Sequence, residues 1–249
     1  TRMDTPAPGE VTVAILSDIH HAGPLEQARG EEYEFRNIAN PFLRAIDRAY
    51  RHLIWMRHPL DQGRQLDRFL TEVGFVDYVV ANGDYPCDNA YGGASDPGSF
   101  QSAQECLAKL RTRFGDRVRF TIGDHDLGKL TLFGGKGGMR LASWQVATQQ
   151  LGLQSFWQLP SGRYLLLGVT SPLIALPANR ADVPPAEWPE WQPRREAHLA
   201  EIRAAFDALQ PDQRVLLFCH DPTALPFLWR EDAVRRRLPQ VEQPIIGHL

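Results

Sequence analysis

The chain lacks any apolar run approaching the roughly 20 residues that cross a bilayer. Its first residues contain no apolar signal-peptide core. Its three cysteines, Cys87, Cys106 and Cys219, are odd in number and show no C-x-x-C spacing. Neither a disulfide-rich scaffold nor a zinc finger is therefore predicted. These absences predict a cytoplasmic protein, although the first residue is Thr rather than Met, so the expectation covers only the sequence as printed.

An excess of positive charge is also missing. Lys and Arg number 27 against 30 Asp and Glu, a net charge of −3, so general nucleic-acid binding is not predicted. No internal repeat or low-complexity tract is present. With 249 residues and 43% hydrophobic content, the chain can bury a substantial core. We expect one domain over residues 1–249, with residues 1–10 as a flexible N-terminal segment.

Short apolar runs alternate with segments of helical periodicity, which predicts an α/β fold. Near-continuous apolar runs are typical of strands covered on both faces. The predicted strands are Val11–Leu16, Phe75–Ala81, Arg117–Ile122, Tyr164–Val169 and Arg214–Phe218, and a hairpin pairs Phe156–Leu159 with Tyr164–Val169. The predicted helices are 42–60, Ser99–Phe114, 141–151 and 194–209, with irregular segments at 22–40 and 172–193.

Ionisable side chains follow these strands where each strand ends. They are Asp18 with His20, Asp84, Asp124 with His125 and Asp126, His220, and finally His248. The carboxyl ends of parallel strands share one edge of a sheet, and Asp18 and His20 point to the same side if the strand stays extended. Oxygen and imidazole ligands suit Mn, Fe, Zn and similar ions. Their number exceeds what one ion needs and indicates a pair.

In order and spacing these motifs resemble those of the calcineurin-like metallophosphoesterase superfamily. The family pattern is Asp-x-His, Gly-Asp, Gly-Asn-His-Asp/Glu, a strand-end His, and Gly-His-x-His. The matching residues here are Asp18-Ile19-His20, Gly83-Asp84, Gly123-Asp124-His125-Asp126, His220 and Gly247-His248. The likeness covers nearly the whole chain. It implies a four-layer α-β-β-α sandwich, with the last strands of the domain expected beyond Leu249.

The resemblance also implies a cofactor and its ligands. Two divalent or trivalent ions, Mn, Fe, Zn or similar, would be bound by Asp18, His20, Asp84, Asp124, His220 and His248. Asp18 and His20 would bind the first ion and Asp84 would bridge both. His125 would stand near the leaving group, with Asp126 orienting it.

This sequence departs from the family pattern at two places. Asp124 stands where the family has Asn, which predicts tighter metal binding, weaker substrate contact or a preference for a different ion. The last family histidine would fall at position 250, whereas the printed chain ends at Leu249. We expect a sequence cut short rather than a natural end.

The reaction that the resemblance implies is hydrolysis of a phosphomonoester or phosphodiester by a hydroxide bridging the two metals. His125 would protonate the departing oxygen. The expected substrate is a small-molecule or lipid-linked phosphoester. The alternatives are a metal-stabilised binding or structural domain with weakened catalysis, and a lipid pyrophosphatase acting at a membrane surface.

Two features bear on these alternatives. Phe42, Ile46, Ala49, Leu53, Met56 and Leu60 form one apolar helical stripe, and the opposite face carries arginines. We expect a helix that covers the sheet and leaves its basic face in water, with docking on a membrane surface as the other interpretation. Lys129, Lys136 and Arg140 are candidates for holding distal substrate charge, although solvated surface residues are the simpler interpretation.

Overall fold

A computed structural model describes residues 10–55, 57–87, 92–128 and 138–247. His248, Lys129 and Lys136 lie outside the described residues, as does most of the N-terminal segment expected to be flexible.

Within the described ranges, seven strands form two sheets. The strands are β1 (Val13–Leu16), β2 (Tyr78–Asn82), β3 (Val118–Thr121), β4 (Phe156–Ser161), β5 (Tyr164–Val169), β6 (Arg214–Cys219) and β7 (Val241–Ile245). The first sheet has the order β1-β2-β3 and is parallel throughout. The second has the order β4-β5-β6-β7, with an antiparallel β4–β5 hairpin and two parallel pairs. The α/β prediction and the hairpin are confirmed.

Ten α-helices connect these strands in the described part of the chain. They are α1 (Pro24–Arg29), α2 (Pro41–Tyr50), α3 (Gly63–Glu72), α4 (Pro97–Phe114), α5 (Asp124–Leu127), α6 (Leu141–Gln145), α7 (Ser171–Ile174), α8 (Trp188–Asp207), α9 (Leu225–Leu228) and α10 (Asp232–Arg237). A π-helical turn, Arg51–Trp55, continues α2, and another, Val146–Gln150, continues α6. None of these helices is long and apolar enough to cross a membrane.

Three apolar clusters hold the layers together. On one face of the first sheet, Val79 and Ala81 of β2 share a cluster with Leu107 and Leu110 of α4. On one face of the second sheet, strands β5 and β6 pack with α8 and α10. The third cluster joins the two sheets and contains Val80, Trp157, Leu166 and Phe218. Both sheets are therefore buried on two faces, which explains the near-continuous apolar strands.

The helix predicted over residues 42–60 is wrong in both length and orientation. Helix α2 ends at Tyr50, and the chain continues through the π turn and a 3₁₀ turn at Pro59–Asp61. Phe42, Ile46 and Leu53 are exposed rather than packed on a sheet. The buried side of this segment carries Asp47 and Arg51.

Other boundaries differ for local reasons. Segment 22–40 is not irregular, because α1 and a 3₁₀ helix, Glu31–Asn37, occupy it. Asp96, not Ser99, caps α4, since its carboxylate accepts hydrogen bonds from the N–H groups of Gly98 and Ser99. Helix α8 begins at Trp188 rather than at residue 194 and contains Pro193 in its interior, with Pro189 in its first turn, where proline is favoured.

Candidate metal centre

The ends of strands β1, β2, β3 and β6 bring their polar side chains to one place. His220 follows β6, and its Nε2 lies 3.1 Å from Asp84 Oδ2 and 3.2 Å from Asp124 Oδ1. His125 Nε2 lies 4.0 Å from Asp84 Oδ2 and 3.9 Å from Asp124 Oδ2. The rings of His20 and His125 are 5.0 Å apart between centroids. The predicted convergence of these residues is therefore observed.

The main chain is strained at this point. Among the described non-glycine residues, only Asp18, His20 and Asp84 have positive φ angles, of 51°, 45° and 60°. Such conformations are uncommon for residues other than glycine and cluster at functional sites. The expectation that Asp18 and His20 share a side by staying extended is wrong. Asp18 Oδ1 and His20 Nε2 lie 3.9 Å apart because the chain turns at both residues. The His20 N–H donates a hydrogen bond to the Asp84 carbonyl oxygen at 3.0 Å.

Two groups of side chains could each hold a metal ion, and they share one residue. His20, Asp84 and His125 have ligand atoms within 4.8 Å of one another, and so do Asp18, Asp84 and His220. Asp84 belongs to both groups, as a bridging carboxylate would. These groups place Asp18 with His220 and His20 with His125, while the predicted pairs also lie close, with 3.9 Å between Asp18 Oδ1 and His20 Nε2 and 3.2 Å between Asp124 Oδ1 and His220 Nε2.

Two of the imidazoles are held so that Nε2 faces the carboxylates. His220 Nδ1 lies 2.5 Å from the carbonyl oxygen of Asn82, and His20 Nδ1 lies 3.3 Å from that of Pro86. A carbonyl can only accept, so each Nδ1 carries the proton. In the neutral ring this leaves the Nε2 lone pair available, which is the arrangement of metal-binding histidines.

Asp84 is completely buried. Its Oδ1 accepts a hydrogen bond from the His125 main-chain N–H at 3.0 Å. Within the described residues its Oδ2 accepts no main-chain hydrogen bond and lies 3.1 Å from His220 Nε2. With the neutral ring, which carries its proton on Nδ1, these two buried atoms face each other without a proton between them, which is costly, and a cation at this position would satisfy both.

Glycines allow the strand ends to approach so closely. A Cβ atom on Gly123 would lie 2.1 Å from Asp84 Oδ1, and one on Gly247 would lie 1.9 Å from Ser17 Oγ. Gly83 has a φ of +93°, and a Cβ there would lie 2.7 Å from His220 Nδ1. The glycines of the three motifs therefore leave the space in which these side chains meet.

Asp126 accepts hydrogen bonds from the main chain around the site. Its Oδ2 accepts hydrogen bonds from the N–H groups of Gly123, at 2.8 Å, and Asp84, at 3.2 Å, and its Oδ1 accepts from Tyr85, at 3.1 Å. These bonds hold the turns after β2 and β3 together. Asp126 therefore positions the main chain around Asp84 and the turn that carries His125, and a direct effect on the orientation of the His125 ring stays a prediction.

The site is strongly negative without a cation. Burial by itself lowers the pKa of His220, but Asp84 and Asp124 outweigh it and raise the pKa well above its ordinary value. Burial, and next the charge of Asp84, raise the pKa of Asp126 to about 7. Carboxylates gathered this closely favour any nearby positive charge, as a metal site requires.

The remaining predicted residues have mixed outcomes. His248 lies outside the described residues, so its placement as a ligand stays a prediction. Arg140 braces its own loop, since its Nη1 donates to the carbonyl oxygens of Gly138, Met139 and Asp182 at 3.0, 3.1 and 3.4 Å. These contacts favour a structural part for Arg140 over the holding of substrate charge.

Two main-chain groups that matter here have no signature in the sequence. The carbonyls of Asn82 and Pro86 set the orientation of His220 and His20. A carbonyl is present at every residue, so only the fold shows which of them face an imidazole.

No protein-family model matches the chain, and no curated protein matches its sequence. The function of the chain is therefore inferred from the geometry of its side chains and from the order of its motifs.

Proposed function

We propose that the chain is a dinuclear metal-dependent phosphoester hydrolase of the calcineurin-like type. The observation that carries the proposal is the position of Asp84, a buried carboxylate common to two groups of potential ligands. One residue shared by two such groups is difficult to explain as an ordinary buried ion pair. It is the expected arrangement when one carboxylate contacts two cations.

The donor set fits the implied ions. Carboxylate oxygens and imidazole Nε2 atoms together suit Mn, Fe and Zn, and Asp84 Oδ2 lies 3.1 Å from His220 Nε2 and 4.0 Å from His125 Nε2. We assign metal binding to Asp18, His20, Asp84, Asp124, His220 and His248. His125, which groups with His20 and Asp84, is assigned a position beside the ions. When bound, such ions acidify a water and neutralise the charge that builds on phosphoryl oxygens.

The residues of the chain have distinct parts in this proposal. Asp18 and Asp124 are partly exposed, with 32% and 23% of their side chains accessible, whereas His20, His125 and Asp84 are buried. Substrate therefore reaches the site from the side of the two aspartates. His125 is assigned to protonate the leaving oxygen, and Asp126 keeps the turn that carries His125 in place.

The finer fold assignment belongs to the same proposal. We infer a four-layer α-β-β-α sandwich, in which α4 and α8 cover the outer faces of the two sheets. The apolar cluster that contains Val80, Trp157, Leu166 and Phe218 supports this inference, because its residues come from both sheets.

Turnover of an aryl phosphate monoester and of a diester with added Mn²⁺ tests the proposal. We expect the chain to hydrolyse at least one of them. His125→Ala should lower kcat by about 10²–10⁴-fold, the usual contribution of a general acid, while bound Mn²⁺ is unchanged. His52→Ala, an exposed histidine outside the site, is the matched control and should keep full activity.

Two other outcomes would change the assignment. Loss of Mn²⁺ together with activity in His125→Ala would make His125 a ligand, as its grouping with His20 and Asp84 allows. Tight Mn²⁺ binding by the unmodified chain without turnover of either ester would refute the hydrolase and favour a metal-stabilised binding domain.

A further inference from the structure

Several apolar side chains between Pro41 and Ile54 are exposed to solvent. Phe42 is 71% exposed, Leu53 67% and Ile54 73%, and Ile46 and Tyr50 are also exposed. Phe42, Ile46 and Tyr50 recur every four residues of α2 and share one face. Exposed single apolar residues are ordinary, but several on one helical face indicate an interaction surface.

This face is not part of the core, because the segment is anchored through polar groups. Asp47 and Arg51 are buried, and Arg51 Nη2 lies 3.0 Å from Glu34 Oε2. The helix therefore buries its charged side and exposes its apolar side, the reverse of a helix that covers a sheet. Its apolar face remains available for another surface.

The charge of the segment indicates what that surface is. Residues 41–58 contain four arginines and one aspartate, a formal charge of +3, in a chain whose net charge is −3. Acids of the preceding 3₁₀ helix contact two of the arginines, since Glu32 pairs with Arg48 and Glu34 with Arg51. Neither Arg44 nor Arg57 has an acidic partner in the described ranges.

We propose that the segment 41–58 docks on the surface of an anionic lipid bilayer. Apolar side chains flanked by arginines on a short helix fit the boundary between headgroups and acyl chains. A two-fold contact with a second copy would bring Arg44 and Arg57 toward the same two arginines, whereas an anionic surface complements them, so charge favours the bilayer over a dimer. This proposal does not depend on the hydrolase assignment.

The position of the segment connects the proposed surface with the metal centre. The Pro59 carbonyl, which follows the segment, lies 3.6 Å from Cys87 Sγ. Cys87 comes three residues after Asp84, on the loop leading away from the site. The end of the segment 41–58 is therefore joined to the chain beside the turn that carries Asp84.

Co-sedimentation with vesicles tests the proposal. The unmodified chain should bind vesicles of phosphatidylcholine with 30% phosphatidylglycerol and bind pure phosphatidylcholine vesicles less. The double variant Phe42→Ser/Leu53→Ser should lower the partition coefficient at least tenfold, because it removes two large apolar groups. Arg57→Glu should weaken binding to the anionic vesicles at least fivefold and leave the weak binding to neutral vesicles unchanged.

Phe75→Ser is the matched control. Phe75 is 73% exposed, like Phe42, but it lies before β2, at the other end of that strand from Asp84. It should bind the vesicles as the unmodified chain does. Thermal unfolding followed by circular dichroism should show that all variants remain folded, since every substituted side chain is exposed.

Two results would overturn the proposal. One is the absence of sedimentation with anionic vesicles, or sedimentation that Phe42→Ser/Leu53→Ser leaves unaltered. The other is a concentration-dependent dimer in analytical ultracentrifugation that the same variant abolishes, because the face would then bind a second copy. An equal loss of vesicle binding in Phe75→Ser would mean general hydrophobic adsorption and would also contradict the proposal.

Discussion

A methyl group added at Gly123 would test how tightly the candidate metal centre is packed. In Gly123→Ala the new Cβ would lie 2.1 Å from Asp84 Oδ1 and 2.7 Å from the main-chain nitrogen of Asp84. The backbone itself permits alanine, since Gly123 has φ −91° and ψ −179°. The effect is therefore purely steric. Rotation of the Asp84 side chain cannot relieve it, because one of the crowded atoms belongs to the main chain.

We expect Gly123→Ala to lower the free energy of unfolding by about 1–3 kcal/mol, the usual cost of overpacking a well-packed site. Relief requires β2 and β3 to separate at their ends, which displaces Asp84 from both groups of potential ligands. We therefore also expect Mn²⁺ affinity to fall more than tenfold, in the range seen when a ligand loses its support.

Urea unfolding and calorimetric Mn²⁺ titration measure the two quantities on the same protein. Gly74→Ala is the matched control, because Gly74 has no atom within 4 Å of its added Cβ and no left-handed φ. It should change stability by no more than about 1 kcal/mol and leave Mn²⁺ binding intact. The reasoning is refuted if Gly123→Ala binds Mn²⁺ as tightly as the unmodified chain.

Three further substitutions give separate tests. Burial raises the pKa of Glu26 from 4.5 to about 7. The contribution of Glu26 to the free energy of unfolding is therefore complete below pH 4.5 and falls by about 3 kcal/mol by pH 8. Urea unfolding across this pH range should show that Glu26→Gln lacks this dependence. Asp126→Asn should lower the free energy of unfolding by about 1–3 kcal/mol in the same assay, because the new amide group would face the Tyr85 N–H as a second donor. Unchanged stability would contradict the role of Asp126 in holding the two turns together. Asp124→Asn removes a negative charge 3.2 Å from His220 Nε2 and should weaken Mn²⁺ binding about tenfold in calorimetry. Equal or tighter binding would contradict the prediction that the charge of Asp124 strengthens metal binding.

The positions of the site residues could be predicted from the sequence because strand ends are easy to recognise. An apolar run that stops at an ionisable residue, as at Asp18, Asp84 and His220, identifies both the strand and the side chain it presents. Parallel pairing then brings the ends of β1, β2 and β3 together. No knowledge of loop conformation is needed for this step.

Roles within the site could not be predicted, because they depend on conformations that a pattern does not specify. Left-handed turns at Asp18 and His20 replaced the extended chain that alternation predicts. The carboxylate of Asp126 accepts main-chain N–H groups from two turns, and no spacing in the sequence distinguishes this from a contact with His125.

The apolar stripe of α2 shows a different limit. Its periodicity identifies a helix with one apolar face, and that part of the prediction is confirmed over Pro41–Tyr50. Periodicity does not say what covers the face. Here the buried pair of Arg51 and Glu34 anchors the segment instead, and Phe42 is left in solvent.

The number of metal ions bound per chain tests the central claim most directly. Equilibrium dialysis against Mn²⁺, with anomalous scattering from crystals grown in Mn²⁺, should give two ions per chain on either side of Asp84. Asp84→Asn should lose both ions, whereas the exposed control Asp212→Asn should keep both. A single ion in the unmodified chain, or an Asp84→Asn variant that still binds two, would contradict the account.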